Sequence, residues 1–169
     1  MNQNEKNEIV AKGELTFSQY IKYNFYHQRT YLAICTVIGF LFFMFFYNSF
    51  NIIGIDSFSI EIFMLTLVTT LLYIILVVAI SFFRISREFK SDQLIKSEIT
   101  YTISSNEINQ VSKRFNSHYK WDDFIKMKVH KDMFLLYLSR NKAIILPGNF
   151  FKSDNDIQLF MKYLSDNKK

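Results

Sequence analysis

Tyr31-Leu32-Ala33-Ile34-Cys35-Thr36-Val37-Ile38-Gly39-Phe40-Leu41-Phe42-Phe43-Met44-Phe45-Phe46-Tyr47 is the stretch on which the fold turns. It holds no charged residue. A second uncharged block runs from Ile62 to Phe83 and includes Leu65, Leu67, Val68, Leu71, Leu72, Ile74, Ile75, Leu76, Val77, Val78 and Ile80. A helix needs roughly 20 apolar residues to cross the hydrocarbon core of a bilayer, and both blocks fall near that length. Two of them in one short chain point to a transmembrane hairpin with spans at about 31–47 and 62–83. A secretory signal peptide fits the first block poorly, because patterned polar sequence precedes it and no small-residue cleavage site follows.

The rest of the composition agrees. The chain has 169 residues, half of them hydrophobic, with 19 Phe and 18% aromatic residues overall. A soluble domain of this size could hardly bury so much apolar surface. The formal charge of +5 would suit nucleic acid or an anionic surface, and a membrane absorbs most of it. Cys35 is the sole cysteine, so there is no disulfide framework and no redox pair; it reads as a small apolar filler.

Flanking cations set the expected orientation. Lys12, Lys22 and Arg29 precede the first span, and Arg84, Arg87 and Lys90 follow the second. The connecting loop, about Asn48 to Glu61, carries Asp56 and Glu61 but no Lys or Arg. The positive-inside rule then places both termini in the cytoplasm and the loop outside. The absence of charge within the spans argues against an ion pathway or a proton relay. Thr36, Thr66, Thr69, Thr70 and Ser81 can bond helix backbone, and Gly39 lets two helices approach.

Outside the spans, the period of the pattern changes along the chain. Residues 1–29 read as a short strand around Glu8–Leu15 and then an amphipathic helix. Thr16 caps that helix, and Phe17, Tyr20, Ile21 and Phe25 lie along one face. Tyr20, Tyr23, Tyr26 and Tyr31 are expected as interfacial anchors, since rings with a polar tip favour the headgroup layer. Residues 84–169 read as a helical extension to about Lys96 and then six strands. These are Ile99–Ile103, Glu107–Ser112, a strand carrying Tyr119 and Trp121, one alternating through Ile125, Met127 and Val129, the apolar run Met133–Leu138, and Lys142–Leu146. Pro147-Gly148 ends the last strand. Ser153 then caps a helix with Asp154 and Asp156 in its first turn and an apolar stripe of Ile157, Phe160, Met161 and Leu164.

The fold class expected is therefore membrane α+β. A two-helix hairpin (30–83) is followed by a small pleckstrin-homology-like β-barrel with a C-terminal helix. The N-terminal strand could join that sheet, with the hairpin inserted between.

Within this frame the sequence offers little catalytic chemistry. His27, His118 and His130 lack metal-ligand spacing to one another, to Cys35 or to a carboxylate. Asp122-Asp123 reads as a turn after Trp121, because adjacent strand carboxylates point apart rather than converge. No Gly-rich phosphate loop or Gly-x-Ser-x-Gly motif occurs. No enzyme, cofactor or metal site is expected, and Trp121 reads as a core residue. From Arg84 onward sixteen Lys and Arg face ten Asp and Glu. Lys120, Lys126 and Lys128 alternate with expected core positions and should share an outer sheet face. Such a face would meet anionic lipid headgroups or a partner, or be simply solvated. Nucleic acid is a poor fit, since no aromatic-interleaved motif accompanies the charge.

Several motifs resemble those of the bacterial YcxB-like family of small membrane proteins. They are Lys120-Trp121-Asp122-Asp123-Phe124-Ile125, Phe134-Leu135-Leu136-Tyr137, Ala143-Ile144-Ile145-Leu146-Pro147, and the opening Leu15-Thr16-Phe17 with Tyr20. The resemblance implies a pleckstrin-like cytoplasmic domain and no established catalysis. Gly148-Asn149 stand where the family pattern often has basic residues, which departs from any basic site at that turn. The function expected is a non-catalytic membrane-anchored module. Its domain would bind a membrane or cytoplasmic protein, or the inner lipid surface. The alternative, by analogy with small membrane proteins that carry similar domains, is self-immunity against a membrane-active bacteriocin peptide.

Overall fold

The structure, a computed structural model, describes residues 8–50 and 60–167. The connection at 51–59 lies outside them, and with it most of the expected external loop. The chain divides into two compact units, one made of residues up to Gln19 together with Asp92 onward, the other of Tyr20–Ser91.

In the first unit seven strands form two antiparallel sheets. β1 (Ile9–Gly13), β2 (Ile99–Ile103), β3 (Glu107–Ser112) and β4 (Asn116–Lys120) lie in the order β1-β2-β3-β4. β5 (Lys126–His130), β6 (Met133–Ser139) and β7 (Lys142–Pro147) form the second sheet in sequence order. The N-terminal strand does join the sheet: Ile9 faces Ile103 and Gly13 faces Ile99, so β1 and β2 make a hairpin interrupted by the helices. The reason is burial. Ile9 and Ala11 are 1% and 0% exposed, and only the face of a neighbouring strand with the same alternation can place them in the core.

Ser104 makes the β2–β3 turn, its hydroxyl accepting from the Asn106 and Glu107 amides at 3.3 and 3.2 Å. β6 is buried at every position from Met133 to Tyr137, as a central strand with an apolar run should be. β4 stops at Lys120, one residue short of the strand expected to carry Trp121. Trp121–Asp123 form a 3-10 turn in which the Asp123 carboxylate accepts from the Lys120 amide at 2.8 Å. The two aspartates thus form a turn, as read.

Trp121 is 5% exposed and donates from Nε1 to the Ser104 carbonyl at 3.2 Å. Its ring meets Phe160 and Tyr163 of α3 (Asp154–Asp166), while Phe160 stands edge-on to Phe134 at 5.0 Å. This aromatic cluster joins both sheets and α3 in one core. Ser153 caps α3 by accepting from the Asp156 amide. The α3 stripe differs from expectation in one place. Tyr163 is buried and Met161 is 48% exposed, because the core-facing arc is centred on Phe160 and Leu164 and takes the position three residues after Phe160 rather than the next one.

The second unit is a pair of antiparallel helices, with α1 (Phe17–Phe50) beginning within the first unit at its root and α2 running over Ile60–Ser91. Phe40 packs on Phe63 at 6.2 Å and Phe43 on Tyr73 at 6.0 Å, with Gly39 beneath the Tyr73 ring. Thr36, Thr66 and Thr69 donate to their own helix carbonyls at Leu32, Ile62 and Leu65. Both helices are long and apolar enough to cross a membrane. With 34 and 32 residues, each is about 50 Å long at 1.5 Å per residue. The amphipathic segment after Thr16 is not a separate helix but the first turns of α1, since nothing between Phe25 and Tyr31 breaks it.

Candidate functional site

The lysines expected on one face are divided between the two sheets. Lys120 ends β4, whereas Lys126 and Lys128 sit two residues apart on β5. The 3-10 turn at Trp121 separates the two strands, so no single strand face carries all three. On their side of the second sheet, Lys126 and Lys128 stand opposite Tyr137 and Leu135, which makes that face mixed rather than basic. Met127 packs against the core, but its expected companions do not: Ile125 is 65% and Val129 50% exposed. β5 is an edge strand, and its two ends extend past the core that covers Met127.

Of the four tyrosines expected as anchors, Tyr20 and Tyr23 are buried, each 7% exposed, and Tyr31 is 62% exposed. Tyr26 is half-buried with the Arg29 guanidinium 4.6 Å from its ring centre. Tyr20 packs on Phe89 of α2 at 5.6 Å, and Tyr23 stacks on His27. His118 is exposed on β4, and His130 ends β5. Among the described residues no group of His, Cys, Asp and Glu could hold a metal ion.

Sequence reading missed a polar knuckle in the first unit. Gln19 Oε1 accepts from the Thr16 amide and hydroxyl at 3.0 and 2.9 Å, while Thr16 Oγ1 accepts from the Gln19 amide at 3.3 Å. This reciprocal capping box fixes the start of α1. The remaining Gln19 group, Nε2, donates to Asn149 Oδ1 at 2.9 Å. Asn149 belongs to the 3-10 turn Gly148–Phe150, whose Gly148 amide donates to the Asp132 carbonyl at 2.6 Å. The Phe150 ring lies over Gly13 so closely that a Cβ there would overlap it. The turn after Pro147 is therefore a joint that holds β1, the root of α1 and the β5–β6 turn. Gly148 and Asn149 both serve that joint. The Thr-x-x-Gln spacing of Thr16 and Gln19 was the available signal.

Fold and knuckle together define an α+β protein in which two long apolar helices are inserted between the first two strands of a seven-stranded, two-sheet domain closed by a helix. The sequence model of the YcxB-like protein family matches residues 103–164, from the end of β2 to the last core residue of α3. The chain is also 26% identical to the uncharacterized protein YcxB of Bacillus subtilis (strain 168), over 95% of this chain and 86% of that protein. The likeness therefore includes the helices. The chain is thus similar to the YcxB-like family over residues 103–164 and to one protein of that name along most of its length. No solved structure matches it significantly.

Proposed function

We propose that this chain is a non-catalytic, membrane-anchored module of the bacterial cell membrane. In this reading α1 and α2 span the bilayer, both termini are cytoplasmic, and the two-sheet unit is a pleckstrin-like domain that docks a protein partner. The observation that carries the anchored reading is the β1–β2 pairing: the chain leaves the domain at Gly13 and re-enters it opposite, at Ile99. Such a return suits a helical hairpin that enters and leaves a bilayer on one side. The cations at Lys22, Arg29, Arg84, Arg87 and Lys90 support a cytoplasmic position for that side. A four-stranded and a three-stranded antiparallel sheet closed by a C-terminal helix support the pleckstrin-like reading.

The docking surface we assign is the β5 edge, where Ile125 and Val129 are exposed beside Lys126. Exposed apolar side chains on an edge strand favour pairing with another chain. The test is crosslinking from native membranes, comparing the wild-type chain with the double variant Ile125→Asp, Val129→Asp. Both side chains are largely outside the core, so the domain should fold. A partner captured by the wild type and lost from the variant supports the reading. Identical captures from both proteins count against this edge as the docking surface.

A further inference from the structure

We propose that the end of the helix pair carrying Lys22, Arg29, Arg84, Arg87 and Lys90 is a binding collar for anionic phospholipid headgroups. The proposal rests on the membrane-anchored reading and adds to it a ligand class and the residues that take it. All five side chains are exposed. On α2, Arg84, Arg87 and Lys90 follow one another at intervals of three, and on α1 Lys22 and Arg29 are seven apart, so each set lies along one side of its helix. At 1.5 Å per residue the sets cover about 9 and 10.5 Å of helix axis, enough to extend through the roughly 5–8 Å headgroup layer on one side of a bilayer.

The apolar edge of the collar carries exposed rings, Tyr31 at 62% and Phe83 at 71%, in the place where a bilayer changes from hydrocarbon to headgroup. Arg29 lies over Tyr26, which presents the guanidinium plane rather than leaving it on a free stem. A planar guanidinium suits bidentate contact with phosphate. Glu88 is the one carboxylate among these cations, so the five positive side chains outnumber it at this end. At the far end of α2 the first turn holds Glu61 and no cation. The charge is therefore one-sided. A solvated basic face on a soluble helix would need neither that asymmetry nor the ring of aromatics at its border.

The same reasoning moves the lipid contact away from Lys120, Lys126 and Lys128, which two different sheets carry. The experiment reconstitutes the full chain in phosphatidylcholine bilayers that contain spin-labelled phosphatidylglycerol or spin-labelled phosphatidylcholine. The relative association constant is read from the motionally restricted fraction. Three proteins are compared: wild type, Arg84→Gln/Arg87→Gln/Lys90→Gln, and the control Lys120→Gln/Lys126→Gln/Lys128→Gln. Each cation beside an anionic surface is worth about fivefold, spread here over several lipid positions. The wild type and the control should therefore prefer phosphatidylglycerol by at least about fivefold, a preference that salt reduces, and the collar variant should fall close to one. No preference in the wild type, or one that persists in the collar variant, overturns the proposal. So does a preference lost only in the control. Alkaline carbonate extraction of the same three proteins separates the two levels. Retention in the pellet with no lipid preference leaves the anchor standing and removes the collar, whereas release of the wild type removes the anchor itself.

Discussion

Gly13 and Ile99 are direct antiparallel partners, although the whole helix pair lies between them in sequence. The ring of Phe150 covers Gly13 at the point where β1 gives way to α1. The position is thus set by contact with a buried ring (Phe150 is 4% exposed), and glycine is the residue that leaves room for it.

Gly13→Ala should therefore destabilise the two-sheet unit by about 1–3 kcal/mol, the usual cost of overpacking a filled site. Trp121, the sole tryptophan, reports on this unit, so urea unfolding of the full chain in detergent can be followed by its fluorescence. Phe150→Leu in the same chain should recover part of the loss. An unchanged midpoint for Gly13→Ala would show that the ring moves aside at no cost.

Lys131 holds a positive φ of 53° in the turn between β5 and β6. Left-handed backbone costs a residue with a Cβ about 1–2 kcal/mol, and glycine escapes this at some entropic cost in the unfolded chain. Lys131→Gly should be neutral or stabilising by up to about 1 kcal/mol, and Lys131→Val should destabilise. Thermal melts of the two variants in opposite order would contradict this assignment of strain.

Tyr101 is buried in the core, and burial, with the neighbouring Tyr119 hydroxyl, raises its pKa above the ordinary tyrosine value. A raised value favours the neutral form in the fold. Its contribution is fully present below the unfolded pKa of about 10 and is lost as pH rises through the folded value. Tyr101→Phe also removes the acceptor for Gln110 Nε2 at 3.3 Å, a loss of about 1 kcal/mol at neutral pH. The variant should thus be less stable than wild type at pH 8, and the gap should narrow above about pH 10. A constant gap across that range would show that Tyr101 does not titrate on unfolding.

Much of this architecture was legible where the pattern is local. Alternation in Ile99, Tyr101 and Ile103 and the unbroken run from Met133 located strands, and the two uncharged blocks located the helices. The pairing of β1 with β2 was open as a possibility only, because antiparallel register between residues so far apart depends on the core and not on neighbours in sequence. Two apolar alternations misled for a related reason. Val129 and Met161 have the right residue type and nearly the right spacing, but an edge strand and a helix arc bury only the part that meets the core. The three lysines were placed together by spacing alone, and one short 3-10 turn at Trp121 sent Lys120 to a different sheet. The Gln19–Asn149 bond joins distant segments and left only its local half, the capping box, in the sequence.

The central claim is that a self-contained domain carries a membrane hairpin between its first two strands. It is tested most directly by replacing residues 14–98 with a short Asn-Gly-containing turn and fractionating both proteins. Gly13 and Ile99 are already opposed, so the turn closes an ordinary hairpin. The wild type should remain with the membrane pellet after carbonate extraction, while the excised protein should be soluble and unfold cooperatively. A wild type that carbonate releases, or an excised protein that is insoluble or unfolded, would contradict the account, since the helices would then be part of the domain's own core.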